Sequence, residues 1–303
     1  MKRKAYGRDA GLTLRMLLTS SLLGLLYVAF ALVLFYVFNA GLVLMVVIVG
    51  GMAIFQYFTS DKLALAASGA KIVSPEEAPK LHALIERLAA MADLQKPRVA
   101  IVDTDVPNAF ATGRNQKHAV VAVTRGLWER LDEKEIEGVL AHELTHIANR
   151  DVLVMTVASF FAMLAGLLTR FGLYAGMWGG GNRNNNNSSV PVWLIVLAVS
   201  ILTYVISWIL IRTISRYREY AADRGSAVIT GAPENLMSAL QKISSEMFRI
   251  PQRDLREVQA MNAFFIIPTS VKSTTAQLFQ THPPLEKRLL NLIGRESTGA
   301  VVA

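Results

Sequence analysis

The sequence contains no cysteine. Disulfides, thiolate metal sites and cysteine nucleophiles are thereby excluded, and any metal must be held by histidine, aspartate or glutamate. Charge is scarce as well: 18% of the 303 residues are Asp, Glu, Lys or Arg, against 52% hydrophobic residues and a mean hydropathy of +0.37. Soluble domains carry about a quarter charged residues, so this balance points to a membrane. The net charge of +8 does not signal nucleic acid. Its basic excess sits beside apolar runs, where such residues meet anionic headgroups and set topology.

Four stretches, residues 16–38, 41–58, 152–169 and 190–211, are apolar and free of charge. Each is close to the length of about 20 residues that a helix needs to cross a bilayer. They come as two tight hairpins, the first pair separated only by Asn39 and Ala40. The first run is too long for a cleaved signal peptide, and a second follows almost at once. Lys2, Arg3, Lys4, Arg8 and Arg15 precede the first span, and Arg212, Arg216 and Arg218 follow the fourth. The positive-inside rule therefore puts both termini in the cytoplasm, together with residues 61–151. Outside remain the first turn and a segment containing Gly179-Gly180-Gly181 and Asn184 to Asn187, which reads as a flexible link. Arg170 is expected to snorkel to the outer interface. The expected organisation is a membrane hairpin at 1–60, a cytoplasmic part at 61–151, a second hairpin at 152–211 and a second cytoplasmic part at 212–303.

Between the hairpins, Ser74-Pro75-Glu76-Glu77 predicts a capped helix start, with an apolar pattern running to about Met91. Residues 97–103 and 118–124 are β-branched and bounded by turn residues, so they predict two strands of a small sheet, with residues 110–113 between them. Asp132 and Glu135 open another helix, in which Ile136, Val139, Leu140, Leu144 and Ile147 recur at helical spacing. After the fourth span, residues 215–228 predict a helix, and Gly231 with Pro233 ends it and opens another to about Met247.

The helix begun at Asp132 carries His142-Glu143-Leu144-Thr145-His146, the pattern HExxH. Histidines one turn apart share a helix face and can bind one zinc ion, while Glu143 lies beside the metal without ligating it. Its carboxylate can take the proton of a water that the metal has acidified. Catalytic zinc takes a third protein ligand and keeps one position open. Glu219 is a candidate, with Asp223 one turn further on able to accept the other ring proton of a ligand histidine. Spacing alone leaves a second reading open, in which both are solvated acids paired with neighbouring arginines.

HELTHIANRD, SRYREYAADRGSAVITG and THPPLEKR, in that order, resemble the HtpX family of heat-shock proteases of prokaryotic membranes, relatives of the CAAX prenyl proteases. The resemblance runs over nearly the whole chain. It implies a mainly α integral membrane protein with four transmembrane helices in two hairpins and a cytoplasmic α+β zincin-like protease domain. It also implies one Zn2+ held by His142, His146 and Glu219, with Glu143 as base and Asp223 supporting a ligand. Pro107-Asn108-Ala109-Phe110 looks like the family segment leading into an edge strand, where Asn108 and Ala109 could align an extended peptide; an ordinary loop is the other reading. His282 looks like the family histidine near the zinc, a donor to the tetrahedral oxyanion, and could equally cap the helix after Pro283-Pro284. Arg288 pairs with an acid near the site or belongs to a solvated face. His82 and His118 match no family position and are set aside.

By this resemblance the chain cuts misfolded or damaged membrane proteins in the plasma (inner) membrane, with its active site in the cytoplasm. Its partners are then polypeptide substrates and the lipid bilayer, with no nucleic acid. A CAAX-type processing enzyme would use more spans, and a non-catalytic scaffold would close its zinc with four protein ligands.

Overall fold

The computed structural model describes residues 10–38, 42–151, 192–249 and 283–297. The expected third span at 152–169, Arg170, the Gly- and Asn-rich segment and His282 lie outside the described residues. In chain order the elements are α1 (Ala10–Phe38), α2 (Leu42–Ser68), β1 (Lys71–Ile72), α3 (Pro79–Met91), β2 (Arg98–Val102), β3 (Ala109–Thr112), β4 (Val120–Thr124), α4 (Arg125–Arg130), α5 (Glu133–Ala148), α6 (Val192–Thr230), α7 (Pro233–Arg249) and α8 (Leu285–Ser297). The protein is mostly helical with one small mixed sheet. It divides into two compact units, one of Met1–Thr13, Thr59–Leu153 and Ser215–Ala303, the other of Leu14–Phe58 and Val154–Ile214.

Among the described residues, two stretches are helical, long and apolar enough to cross a membrane: Leu14–Leu32 in α1 and Leu194–Thr230 in α6. Leu17, Leu22, Leu25 and Leu32 of α1 are exposed, as are Leu202, Val205 and Ile209 of α6, while Ser200, Thr203 and Ser207 are buried. That distribution suits a hydrocarbon solvent, in which leucine gains little by hiding and small residues let helices approach. Residues 42–58 of the expected second span fall within α2.

The other unit holds the sheet, in the order β1-β2-β4-β3. β2 and β4 are parallel, and β3 runs antiparallel to β4 at the edge. Every β4 residue is buried, so this strand is the centre of the core. Residues 110–113, placed between two strands and expected by resemblance to follow a segment leading into an edge strand, fall largely in the edge strand β3, and residues before Val120 form a 3-10 turn, Gln116–His118.

Three helix boundaries differ from expectation for local reasons. Half of the expected capping box forms, Ser74 N–H donating to Glu77 Oε2 at 2.7 Å, yet the helix begins only at Pro79. The residue before a proline is pushed out of the helical region, and Ala78 accordingly has φ −138 and ψ 61. No separate helix starts at 215. Neither glycine nor proline stands between Ile211 and Ser215, so α6 continues from Val192 to Thr230 and stops where Gly231 takes φ +67. Finally, α4 fills the connection after β4, with Thr124 Oγ1 accepting from Leu127 N at 3.2 Å.

α5 starts as its sequence dictates. Asp132 accepts from Glu135 N at 2.9 Å, and Glu135 accepts from Asp132 N at 3.0 Å, a reciprocal capping box. Glu135 also accepts from Ser238 Oγ and Lys242 Nζ, each at 2.6 Å, which fastens the start of α5 to α7. Leu140 and Leu144 of α5 and Leu236, Leu240 and Ile243 of α7 are fully buried in one core, each stabilising by about 1.5–3 kcal/mol. Two glycines permit the close approach. A Cβ on Gly138 would lie 2.7 Å from Leu236 N, and one on Gly225 of α6 would strike the Thr145 side chain. Ser226 Oγ donates to Gly138 O at 2.7 Å across the same seam.

Candidate metal centre

α5 and α6 face each other with one i, i+4 pair each: His142 and His146 on the first, Glu219 and Asp223 on the second. The two Nε2 atoms lie 3.2 Å apart. Glu219 places Oε2 at 3.5 Å from His142 Nε2 and Oε1 at 3.6 Å from His146 Nε2. His142, Glu143 and His146 can together offer ligand atoms within 4.8 Å of one another, and all three are buried. Two nitrogens bound tetrahedrally at about 2.0–2.1 Å would stand roughly 3.3 Å apart, so this spacing fits a single small cation.

Each histidine turns its other nitrogen to an aspartate. Asp223 Oδ1 lies 3.0 Å from His142 Nδ1, and Asp151 Oδ2 lies 2.7 Å from His146 Nδ1. Asp151 reaches His146 because Arg150, just past the α5 cap at Asn149, takes φ +58 and turns the chain back. Each aspartate in turn meets an arginine: Arg288 Nε and Nη2 donate to Asp223 at 3.0 and 2.6 Å, and Arg218 Nε lies 3.2 Å from Asp151. Arg288, on α8, is fully buried rather than on a solvated face. Sequence reasoning missed Asp151 entirely; an acid placed just after the HExxH helix and immediately before an apolar run was the available signal.

The electrostatics fit a cation. Among the described residues, four carboxylates (Glu143, Asp151, Glu219, Asp223) meet two guanidiniums (Arg218, Arg288), leaving two negative charges for a divalent ion to balance. Without an ion, burial works against charge on His142, yet Asp223 and Glu219 outweigh it and raise the imidazole to about 9. Burial would raise the Asp223 carboxyl, but Arg288 and His142 hold it below the usual range. Burial pushes the Glu143 carboxyl above its ordinary range.

β3 runs beside α5. Asn108 is fully buried and its backbone is fastened to Thr124: its N–H donates to Thr124 Oγ1 at 2.8 Å, and its carbonyl accepts from Thr124 N at 2.9 Å. The antiparallel alternation then turns the backbone groups of Ala109 and Ala111 to the outer edge. Ala111 N–H donates to Glu143 Oε2 at 2.9 Å, which aligns that edge with the carboxylate. His82 lies apart, contacting Val73 O at 3.1 Å, and His118 sits in its 3-10 turn against Asn115.

The model of peptidase family M48 matches residues 75–296. A protease HtpX homolog of Moorella thermoacetica is 53% identical over 293 residues, covering 96% of each chain. Protease HtpX homolog 2 of Methanosarcina mazei is 52% identical over 292 residues, covering 96% of this chain and 97% of its own. Among solved structures, the crystal structure of S. mikatae Ste24p aligns with 94% of this chain and 66% of its own at 18% identity and a TM-score of 0.48, a likeness too slight to say anything of function.

Proposed function

The chain belongs to peptidase family M48 and is a membrane metalloprotease, and from that premise we propose that it is a zinc endopeptidase cutting misfolded or damaged membrane proteins at the cytoplasmic face of a prokaryotic plasma membrane. The observation that carries the chemistry is the convergence of the His142, His146 and Glu219 ligand atoms, with Glu143 beside them and bonded to the edge strand. Under this reading the three residues hold one Zn2+ per chain. A zinc ion supplies Lewis acidity, lowering the pKa of water and polarising a carbonyl. Glu143 takes the proton of the attacking water and passes it to the leaving amine. The outer backbone groups of Ala109 and the carbonyl of Ala111, whose N–H is held by Glu143, pair with an extended substrate, and the Asn108–Thr124 fastening keeps that strand in register. Asp223 and Asp151 orient the ligand imidazoles. His282 is kept as the oxyanion donor on the strength of its family position.

The membrane arrangement in this reading is four spans in two hairpins. Residues 61–151 and 212–303 form the cytoplasmic protease, and both termini lie on that side, supported by the basic residues flanking the first and fourth apolar runs. Recognition of damaged proteins fits a chain that presents apolar helices and a backbone-reading strand, neither of which demands a particular sequence.

The test is metal content and casein cleavage of detergent-purified protein, wild type beside Glu143→Gln, with and without chelator. The reading expects about one zinc per chain in both. It also expects chelator-sensitive cleavage in the wild type and a loss of about 10²–10⁴-fold in the variant. A variant that cleaves at the wild-type rate would remove Glu143 from the mechanism.

A further inference from the structure

The two imidazoles are supported alike, but by different parts of the chain. His142 is backed by Asp223 and then by Arg288 of α8; His146 is backed by Asp151 and then by Arg218 of α6. Both aspartates are fully buried. A buried carboxylate is costly without a cation beside it, and one held by a single contact is free to rotate. A guanidinium supplies the charge for both aspartates and fixes the rotation of Asp223, whose two oxygens it grips, whereas Arg218 meets the same Asp151 Oδ2 that faces His146; ring orientation thus depends on the arginine as well as on the aspartate.

The two arginines do so differently. Arg288 grips both oxygens of Asp223 through Nε and Nη2, and its Nη1 stands 3.7 Å from Glu219 Oε2, so one side chain meets the support of His142 and a second candidate ligand itself. Arg218 makes one contact to Asp151, through Nε at 3.2 Å, and its side chain is 13% exposed. A planar fork cannot be reproduced by an ammonium group, whereas a single contact can.

Resting on the reading of this site as a metal centre, we propose that Arg288 and Arg218 are positioning residues for the two metal-binding imidazoles, acting through Asp223 and Asp151, with lysine able to replace Arg218 but not Arg288. α8, far along the chain from the HExxH helix, is then part of the metal centre, and metal retention reports whether it is docked.

The experiment uses the full chain in detergent. The zinc dissociation constant is measured by competition with a chromophoric chelator, and kcat and KM for a peptide substrate are measured at saturating zinc. Arg288→Lys is expected to weaken zinc roughly tenfold or more, and Arg218→Met likewise. Arg218→Lys should stay within about threefold of wild type. KM should be unchanged in all three, since neither arginine touches substrate in this account. Wild-type zinc affinity in Arg288→Lys would overturn the proposal, as would a changed KM with unchanged zinc affinity. Thermal unfolding of each metal-free variant checks folding. If Arg288→Lys shows no cooperative transition, the Arg218→Met and Arg218→Lys pair decides, and equal affinity in both overturns it. A wild-type protein that holds no zinc overturns the reading of the site itself, and this proposal with it.

Discussion

In the unit containing α1 and the first part of α6, many leucines lie outside and several hydroxyls inside: Leu25 is 67% exposed while Ser207 is fully buried, although Leu23 and Phe30 also turn inward. In the unit carrying HExxH the order is the usual one, with Leu140, Leu240 and Leu292 fully buried and salt bridges such as Arg125–Asp103 at the surface. The largest exception among the described residues of this unit is one cluster, where two histidines, four acids and Arg288 are buried together with the partly exposed Arg218 beside them. The difference teaches how to read buried polarity here. In the first unit small hydroxyls are inside because lipid is no worse a neighbour for leucine than protein is. In the second, burying ionised groups is unfavourable unless they are paired, and with both imidazoles neutral the cluster carries two negative charges in excess, which a divalent cation would balance.

The comparison can be broken most forcefully at the polar cluster. His142→Ala should abolish both metal retention and cleavage, reducing casein hydrolysis to background while the protein still inserts in membranes; retained zinc would mean the ion is held elsewhere. Next in size is the contrast between leucines. Leu240→Ala should cost about 2–5 kcal/mol in denaturant unfolding of the protease unit. Leu25→Ala should change stability in micelles by about 0.5 kcal/mol or less. Equal losses would erase the distinction between the units. Smaller again, Ser207→Leu should destabilise by about 1–3 kcal/mol through overpacking, although it makes the helix more apolar.

The smallest effect concerns pH. Burial alone would raise the Glu135 carboxyl, but Lys242, Ser238 and the Asp132 backbone hold it below its ordinary value. A lowered carboxyl pKa contributes stability above the unfolded value of about 4.3 and loses it as pH falls through the folded value. The melting temperature of Glu135→Gln should therefore lie below wild type at neutral pH, with the gap closing under acid. A constant gap would assign the effect to packing.

Much of this was legible before any coordinates. Asp132 and Glu135 announce the start of α5 because a capping box is a local device, and the apolar spacing behind it gives the buried face. HExxH likewise places both imidazoles by helix geometry alone. Glu219 and Asp223 are harder: two acids one turn apart beside arginines describe a solvated face as well as a site, and only their meeting with His142 across the helix pair separates the two. Asp151 depends on a left-handed turn at Arg150, a residue type that gives no hint of one. β1, two residues long, exists through its pairing with Ile101 and Ala100 and leaves no pattern of its own.

The most direct test of the central claim is zinc X-ray absorption on the wild-type protein in detergent, read for the number and kind of ligands. The account predicts two imidazole nitrogens, one carboxylate and one exchangeable water position, the open arrangement of a catalytic ion. A shell of four protein ligands, with no position that exchanges with solvent, would contradict it and make the metal structural.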